Sequence, residues 1–212
     1  MQRSEYIATR EDSLLLIVDI QQAMLKAIES WKVVAGKAKQ LIRASNALNV
    51  PILLTEQYRK GLGETLPDLM QEIDTPQVFH KEHFSACLEN EFIPTVQSFN
   101  RKKILVVGME THVCVLQTCL DLIEAGFQVH LVADAVASRV NENRSIAIDI
   151  IRQAGAVITS TESSSFSGPC AQTPTTFGGF CRLSNRQDEK RTERSFFHFL
   201  LDLFTGHLTQ RT

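Results

Sequence analysis

Six short apolar runs, each followed by a turn or a helical pattern, constrain this chain more than any other feature. Leu14-Leu15-Leu16-Ile17-Val18 is continuous and ends in Asp19. Pro51-Ile52-Leu53-Leu54-Thr55-Glu56, Gln77 to His80, Lys103 to Val107, Val129 to Ala133 and Ala156 to Thr159 follow. Between them lie stretches with apolar residues at helical spacing. These are Gln22 to Leu48, where Gly36 marks a break or bend, then Leu66 to Ile73, Asn90 to Phe99, His112 to Ala125 and Glu142 to Gln153. Strands apolar on both faces and alternating with helices need helices on both sides of a parallel sheet. Right-handed crossovers supply them. The expected fold is therefore α/β: a three-layer α/β/α, doubly wound, parallel six-stranded sheet.

Composition sets limits on function. A hydrophobic content of 43% supports a substantial core, and a formal net charge of −2 gives no basic footprint for nucleic acid. No apolar stretch approaches the roughly 18 residues of a membrane span. The polar segment Met1 to Ser13 lacks a signal-peptide core, so the expected location is cytoplasmic. The five cysteines, Cys87, Cys114, Cys119, Cys170 and Cys181, are odd in number and contain no CxxC pair, which argues against a disulfide framework or a zinc site. Gly61-Leu62-Gly63 lacks the third glycine of a dinucleotide-binding turn.

The character changes after Glu162. Ser163 to Cys181 is rich in Ser, Thr, Gly and Pro, Arg186 to Arg191 is a charge run, and Ser195 to Phe204 is aromatic and apolar. Residues 1–162 are read as one domain and 163–212 as a tail with a short helix. That helix either docks on the domain or a neighbouring subunit, or orders on a partner. Phe196, Phe197, Phe199, Leu200, Leu201, Leu203 and Phe204 are too many for one short helix to hide against its own domain, so a homo-oligomer, at least a dimer, is expected.

The chemistry gathers at strand ends. Gly108-Met109-Glu110-Thr111-His112-Val113-Cys114-Val115 places a cysteine at the first turn of a helix, where backbone N–H groups and the helix dipole favour a thiolate. Asp19 ends the first strand and Lys81 follows the third. In a parallel sheet of order 3-2-1-4-5-6, Asp19 and Cys114 face one crevice at the switch point. A carboxylate can take the thiol proton, and an ammonium keeps that carboxylate anionic. Each residue alone also fits a duller role: a buried structural cysteine, a capping aspartate or a surface lysine. His112 is two positions from Cys114, and such side chains diverge on a helix, so it is read as a rim or capping residue. Asp134 and Ser138 are expected to organise the turn after the fifth strand, Arg139 has no assigned role, and Cys119 packs.

These pieces together resemble the isochorismatase-like cysteine hydrolases over roughly residues 12 to 162. The matching stretches are Leu16-Ile17-Val18-Asp19-Ile20-Gln21, Lys81 with Phe84-Ser85, Gly108 to Val115, and Asp134 to Arg139. Thr55 to Gly63 resembles the branch of small isochorismatase-domain-containing hydrolases. The resemblance implies a catalytic triad of Asp19, Lys81 and Cys114. It also implies a non-proline cis peptide at Met109–Glu110 and an oxyanion hole from the backbone N–H groups of Glu110 and Cys114. Glu56, Tyr58 and Phe84 are the candidate substrate-pocket residues. Metal-binding relatives carry Asp-x-His after the second strand, where this chain has Glu56-Gln57-Tyr58, so no metal and no cofactor are expected. The implied activity is hydrolysis of a small amide-like molecule through a thioester. The alternatives are isochorismate-type vinyl-ether hydrolysis and an inactive isochorismatase-like scaffold.

Overall fold

The computed structural model describes residues 4–164. The tail helix expected near Ser195 to Phe204, together with Cys170 and Cys181, lies outside the described residues. Six strands form one parallel sheet: β1 (Ser13–Val18), β2 (Ile52–Gln57), β3 (Gln77–Lys81), β4 (Lys103–Met109), β5 (Gln128–Ala137) and β6 (Val157–Thr159). Their order is β3-β2-β1-β4-β5-β6, the doubly wound order in which the ends of β1 and β4 are neighbours. The helices are α1 (Trp31–Leu48), α2 (Arg59–Leu62), α3 (Pro67–Met70), α4 (Phe92–Ser98), α5 (Leu116–Glu124) and α6 (Asn141–Gln153).

Side chains along each strand alternate between two cores. Leu15, Ile17, Leu54, Leu105 and Val107 pack with Val34, Ala38, Leu41 and Ile42 of α1 and Leu69 of α3. Leu14, Leu16, Val18, Leu53, Ile104 and Val106 pack with Phe92 and Val96 of α4, Cys119 and Leu122 of α5, and Ile148 and Ile151 of α6. Three layers result. The middle strands β1 and β4 are buried along their whole length.

Three elements differ from the sequence expectation. The helix expected from Gln22 to Leu48 is two pieces, a 3₁₀ turn (Gln22–Lys26) and α1. The break falls at residues 27–30, where Ile28 turns fully into the core, and Gly36 sits inside an unbroken α1. The helix expected from His112 begins instead as a widened π turn (Thr111–Val115) before α5. Strand β5 runs on to Ala137, so Asp134 lies within it. Its carboxylate accepts from the Thr161 N–H at 2.7 Å and Oγ1 at 2.9 Å and pairs with Lys37 of α1 at 3.2 Å, which satisfies an acid inside a strand. Among the described residues no helix is long and apolar enough to cross a membrane.

Candidate active site

The switch point between β1 and β4 is made by an unusually close approach. Gly108 pairs with Val18 and has φ +146°, and a Cβ there would lie 2.1 Å from the Val18 carbonyl oxygen. Only glycine lets the two strand ends press together at this point. Just beyond it, three of the four strands β1 to β4 end in a non-glycine residue with left-handed backbone: Asp19 (φ 50°) after β1, Tyr58 (φ 36°) after β2 and Glu110 (φ 55°) after β4. Such residues cost on the order of 1–3 kcal/mol each and persist where the surroundings over-determine them. Their clustering at one sheet edge marks that edge as the place to look for chemistry.

Asp19 is fully buried. Its N–H donates to the Thr55 carbonyl at 3.2 Å, Thr55 Oγ1 donates to Oδ1 at 2.7 Å, and Lys81 Nζ stands 2.7 Å from Oδ2. Lys81, the last residue of β3, also donates to Gln57 Oε1 at 2.7 Å and to the carbonyls of His83 and Phe84 at 3.2 and 3.1 Å. Four oxygens around one amine suit an ammonium with three donors. The segment supplying those carbonyls is itself tied down. Glu89 Oε1 accepts from the N–H groups of Glu82 and His83 at 2.8 and 3.0 Å, and these bonds hold the Glu89 carboxyl down at about 2. Ser85 Oγ donates to Asp121 of α5 at 2.5 Å, and Thr118 Oγ1 accepts from the Ala86 N–H at 3.1 Å.

Cys114 sits in the π turn with 4% exposure, and Asp19 and Lys81 are the two charged groups that act on its thiol. The structure therefore brings all three predicted triad residues into one buried cluster. Burial first, and then the charge of Asp19, push the Cys114 thiol up to about 12 against the opposing effect of Lys81. This corrects the expectation of a thiolate from the helix dipole, because desolvation and the neighbouring carboxylate outweigh it. The resting group is a protonated thiol beside a base. A second correction concerns the backbone. Among the described residues no peptide bond is cis, and the turn is accomplished by left-handed Glu110, whose carbonyl accepts from the Val113 and Val115 N–H groups at 2.9 and 3.3 Å.

The Isochorismatase domain profile matches residues 13–163, nearly the whole described fold. This chain belongs to the isochorismatase family. "Isochorismatase family protein 1A" of Dictyostelium discoideum is 44% identical over 159 residues, covering 73% of this chain and 77% of that protein. The solved structure of the MAR1 ribonuclease from Caenorhabditis elegans is 34% identical with a TM-score of 0.75, over 84% of this chain and 91% of that one. The YcaC protein of Escherichia coli, described as an octameric hydrolase of unknown specificity, shares the fold at 24% identity and a TM-score of 0.72, over 77% and 82% of the two chains.

Within this isochorismatase fold the remaining predicted residues divide. Phe84 is 55% exposed and contributes its carbonyl to Lys81. Tyr58 is 51% exposed, and its ring lies so close to Gly61 that a Cβ there would meet it at 2.3 Å. The Glu56 side chain is buried away from the triad; Oε1 accepts from the Thr65 N–H at 2.7 Å, and Oε2 lies 3.6 Å from Arg59 and 3.4 Å from His80. His112 turns aside as its spacing predicts, with Nδ1 3.0 Å from Ser138 Oγ and 3.1 Å from Glu110 Oε2. Cys119 is fully buried in the core beside α4 and α6. Three contributors escaped the sequence reading: Thr55, Gln57 and Gln21. Period-two alternation along β2 puts Thr55 and Gln57 on the face of Leu53, the Cys114 side, and that was the signal available.

Proposed function

We propose that this isochorismatase-family protein is a cofactor-free cysteine hydrolase acting on a small amide-like substrate, with Cys114 as nucleophile, Asp19 as base and acid, and Lys81 as the fixed cation. The observation that carries this reading is the buried cluster itself: a buried thiol under the influence of a buried carboxylate that stands 2.7 Å from a buried ammonium. Because the resting thiol is protonated, proton transfer to Asp19 accompanies attack of sulfur on the carbonyl carbon. The N–H groups of Glu110 and Cys114 receive the oxyanion. Asp19 returns the proton to the departing nitrogen as the C–N bond breaks, leaving a thioester on Cys114. Water then loses a proton to Asp19 and attacks the thioester. The acid leaves and Cys114 recovers its proton. Tyr58 and Phe84 form the outer wall of the pocket, and Glu56 holds the loop that carries Tyr58.

The substrate's reacting group is small, since so little of Cys114 is open to solvent. A reducing cytosol suits a reaction that depends on a free thiol. The assembly is a homo-oligomer, supported by the aromatic tail and by the octameric description of YcaC. The test is a panel of small amides, ureides and vinyl ethers, with rapid acid quench and intact-mass analysis. Expected are turnover of an amide and an acyl mass on Cys114, both lost in Cys114→Ala and Cys114→Ser. Turnover surviving in both variants, or confined to vinyl ethers without an adduct, overturns it.

A further inference from the structure

Gln57 makes four hydrogen bonds through its backbone and side chain, and together they leave its amide one orientation. Its N–H donates to Gln21 Oε1 at 2.8 Å, and its carbonyl accepts from Gln21 Nε2 at 3.0 Å. Gln21, fully buried, spends its remaining donor on the Gly63 carbonyl at 2.6 Å. The Gln57 side chain then donates from Nε2 to the Glu82 carbonyl at 2.7 Å and accepts at Oε1 from Lys81 Nζ at 2.7 Å. Reversing the amide would aim NH₂ at an ammonium and a carbonyl at a carbonyl, so the partners dictate which end faces Lys81. Glu cannot donate to the Glu82 carbonyl, and Met cannot accept from Lys81. Glutamine alone among these meets both demands.

We infer that Gln57, braced by Gln21, is the positioning residue for Lys81. It fixes the ammonium between Asp19 and Cys114 so that the cation acts on the thiol. The inference rests on the hydrolase reading for its purpose but not for its geometry. Gln57 faces Lys81 in register across β2 and β3, so the amide and the amine leave adjacent strands at the same level. Every other oxygen on Lys81 except Asp19 is a backbone carbonyl of the residues just after it. Gln57 is thus the neutral side chain that ties the cation to the middle of the sheet.

The experiment reads Cys114 directly. Iodoacetamide labelling of the full chain is followed by peptide mass spectrometry across pH 6 to 11 for the wild type, Gln57→Met and the isosteric Gln57→Glu, with circular dichroism confirming the fold. Because Lys81 is the influence that lowers the thiol's titration, freeing it moves the labelling profile of Cys114 upward by about one pH unit, on the order of tenfold slower labelling below the midpoint. Gln57→Glu shifts it further, since its carboxylate competes for the ammonium. Cys119 labelling stays as in the wild type. Should Gln57→Met fail to fold, the isosteric variant alone decides. Superimposable profiles in a folded variant overturn the positioning role, whatever the turnover. A shifted profile in a protein that hydrolyses nothing keeps the positioning role and removes the hydrolase reading.

Discussion

Asp19 Oδ2 and Lys81 Nζ stand 2.7 Å apart, and neither side chain is exposed. A pair so placed is costly to break, because removing one partner leaves the other's charge buried without compensation. It also gives Asp19 two opposed effects on Cys114. Its charge raises the thiol, while its free basicity is what the proposed attack requires.

Asp19→Asn therefore separates thiol acidity from catalysis. Burial remains, but the second influence raising Cys114 is gone and Lys81 is left unopposed. Iodoacetamide labelling of Cys114 near pH 8 is expected to accelerate, while turnover of the amide substrate falls on the order of 10²–10⁴-fold through loss of the general base. Parallel loss of both signals would mean that Asp19 only holds the site together.

The legible part of this site was its strand ends. Asp19, Lys81 and Cys114 each follow an apolar run, and a parallel sheet brings such positions to one edge whatever the side chains between them. What escaped is set by contacts across the sheet. Thr55 meets Asp19 and Gln57 meets Gln21 across 36 residues of sequence, and no local pattern encodes either pairing. The thiol's protonation was likewise invisible, since the helix dipole is a sequence feature and desolvation is a property of the packed fold. The split of the first helix turned on Ile28 choosing the core, which apolar periodicity permitted without requiring.

Gly108→Ala tests the close approach of β1 and β4. A methyl group 2.1 Å from the Val18 carbonyl forces the strands apart in a backbone region that disfavours alanine. Strain and overpacking together predict a loss of about 3 kcal/mol or more in urea unfolding, with Cys114 displaced from Asp19. Gly36→Ala, inside α1 with nothing within 4 Å of the new Cβ, is the control and should stabilise by about 0.5–1 kcal/mol. Equal effects at the two positions would refute the account of Gly108.

Chelation tests the absence of a metal from the reaction. At the position where metal-binding relatives place Asp-x-His, Glu56 is committed to the Thr65 N–H and Gln57 to Lys81. Dialysis of the protein against EDTA should leave amide hydrolysis unchanged. A fall that zinc or iron reverses would require a different mechanism.

His130 sets the acid limit of the fold. It lies on β5 between Leu105 of β4 and Val157 of β6, is 2% exposed, and its Nε2 has no hydrogen-bond partner. Burial, with a smaller contribution from the charge of Lys103, lowers it from 6.5 to about 4. Between those values the unfolded chain binds the proton and the native protein does not, so stability rises with pH across this window. The contribution is fully present above about 6.5 and is lost as pH falls through about 4. His130→Phe keeps a ring in the core and removes the titration. Its melting temperature should be less sensitive to pH between 4 and 6.5 than that of the wild type. At pH 7 the substitution is expected to be neutral or stabilising by about 1 kcal/mol, because an unpaired buried nitrogen disappears. Identical slopes for the two proteins in thermal melts across that range would show that the imidazole charges without unfolding, and that another group governs acid denaturation.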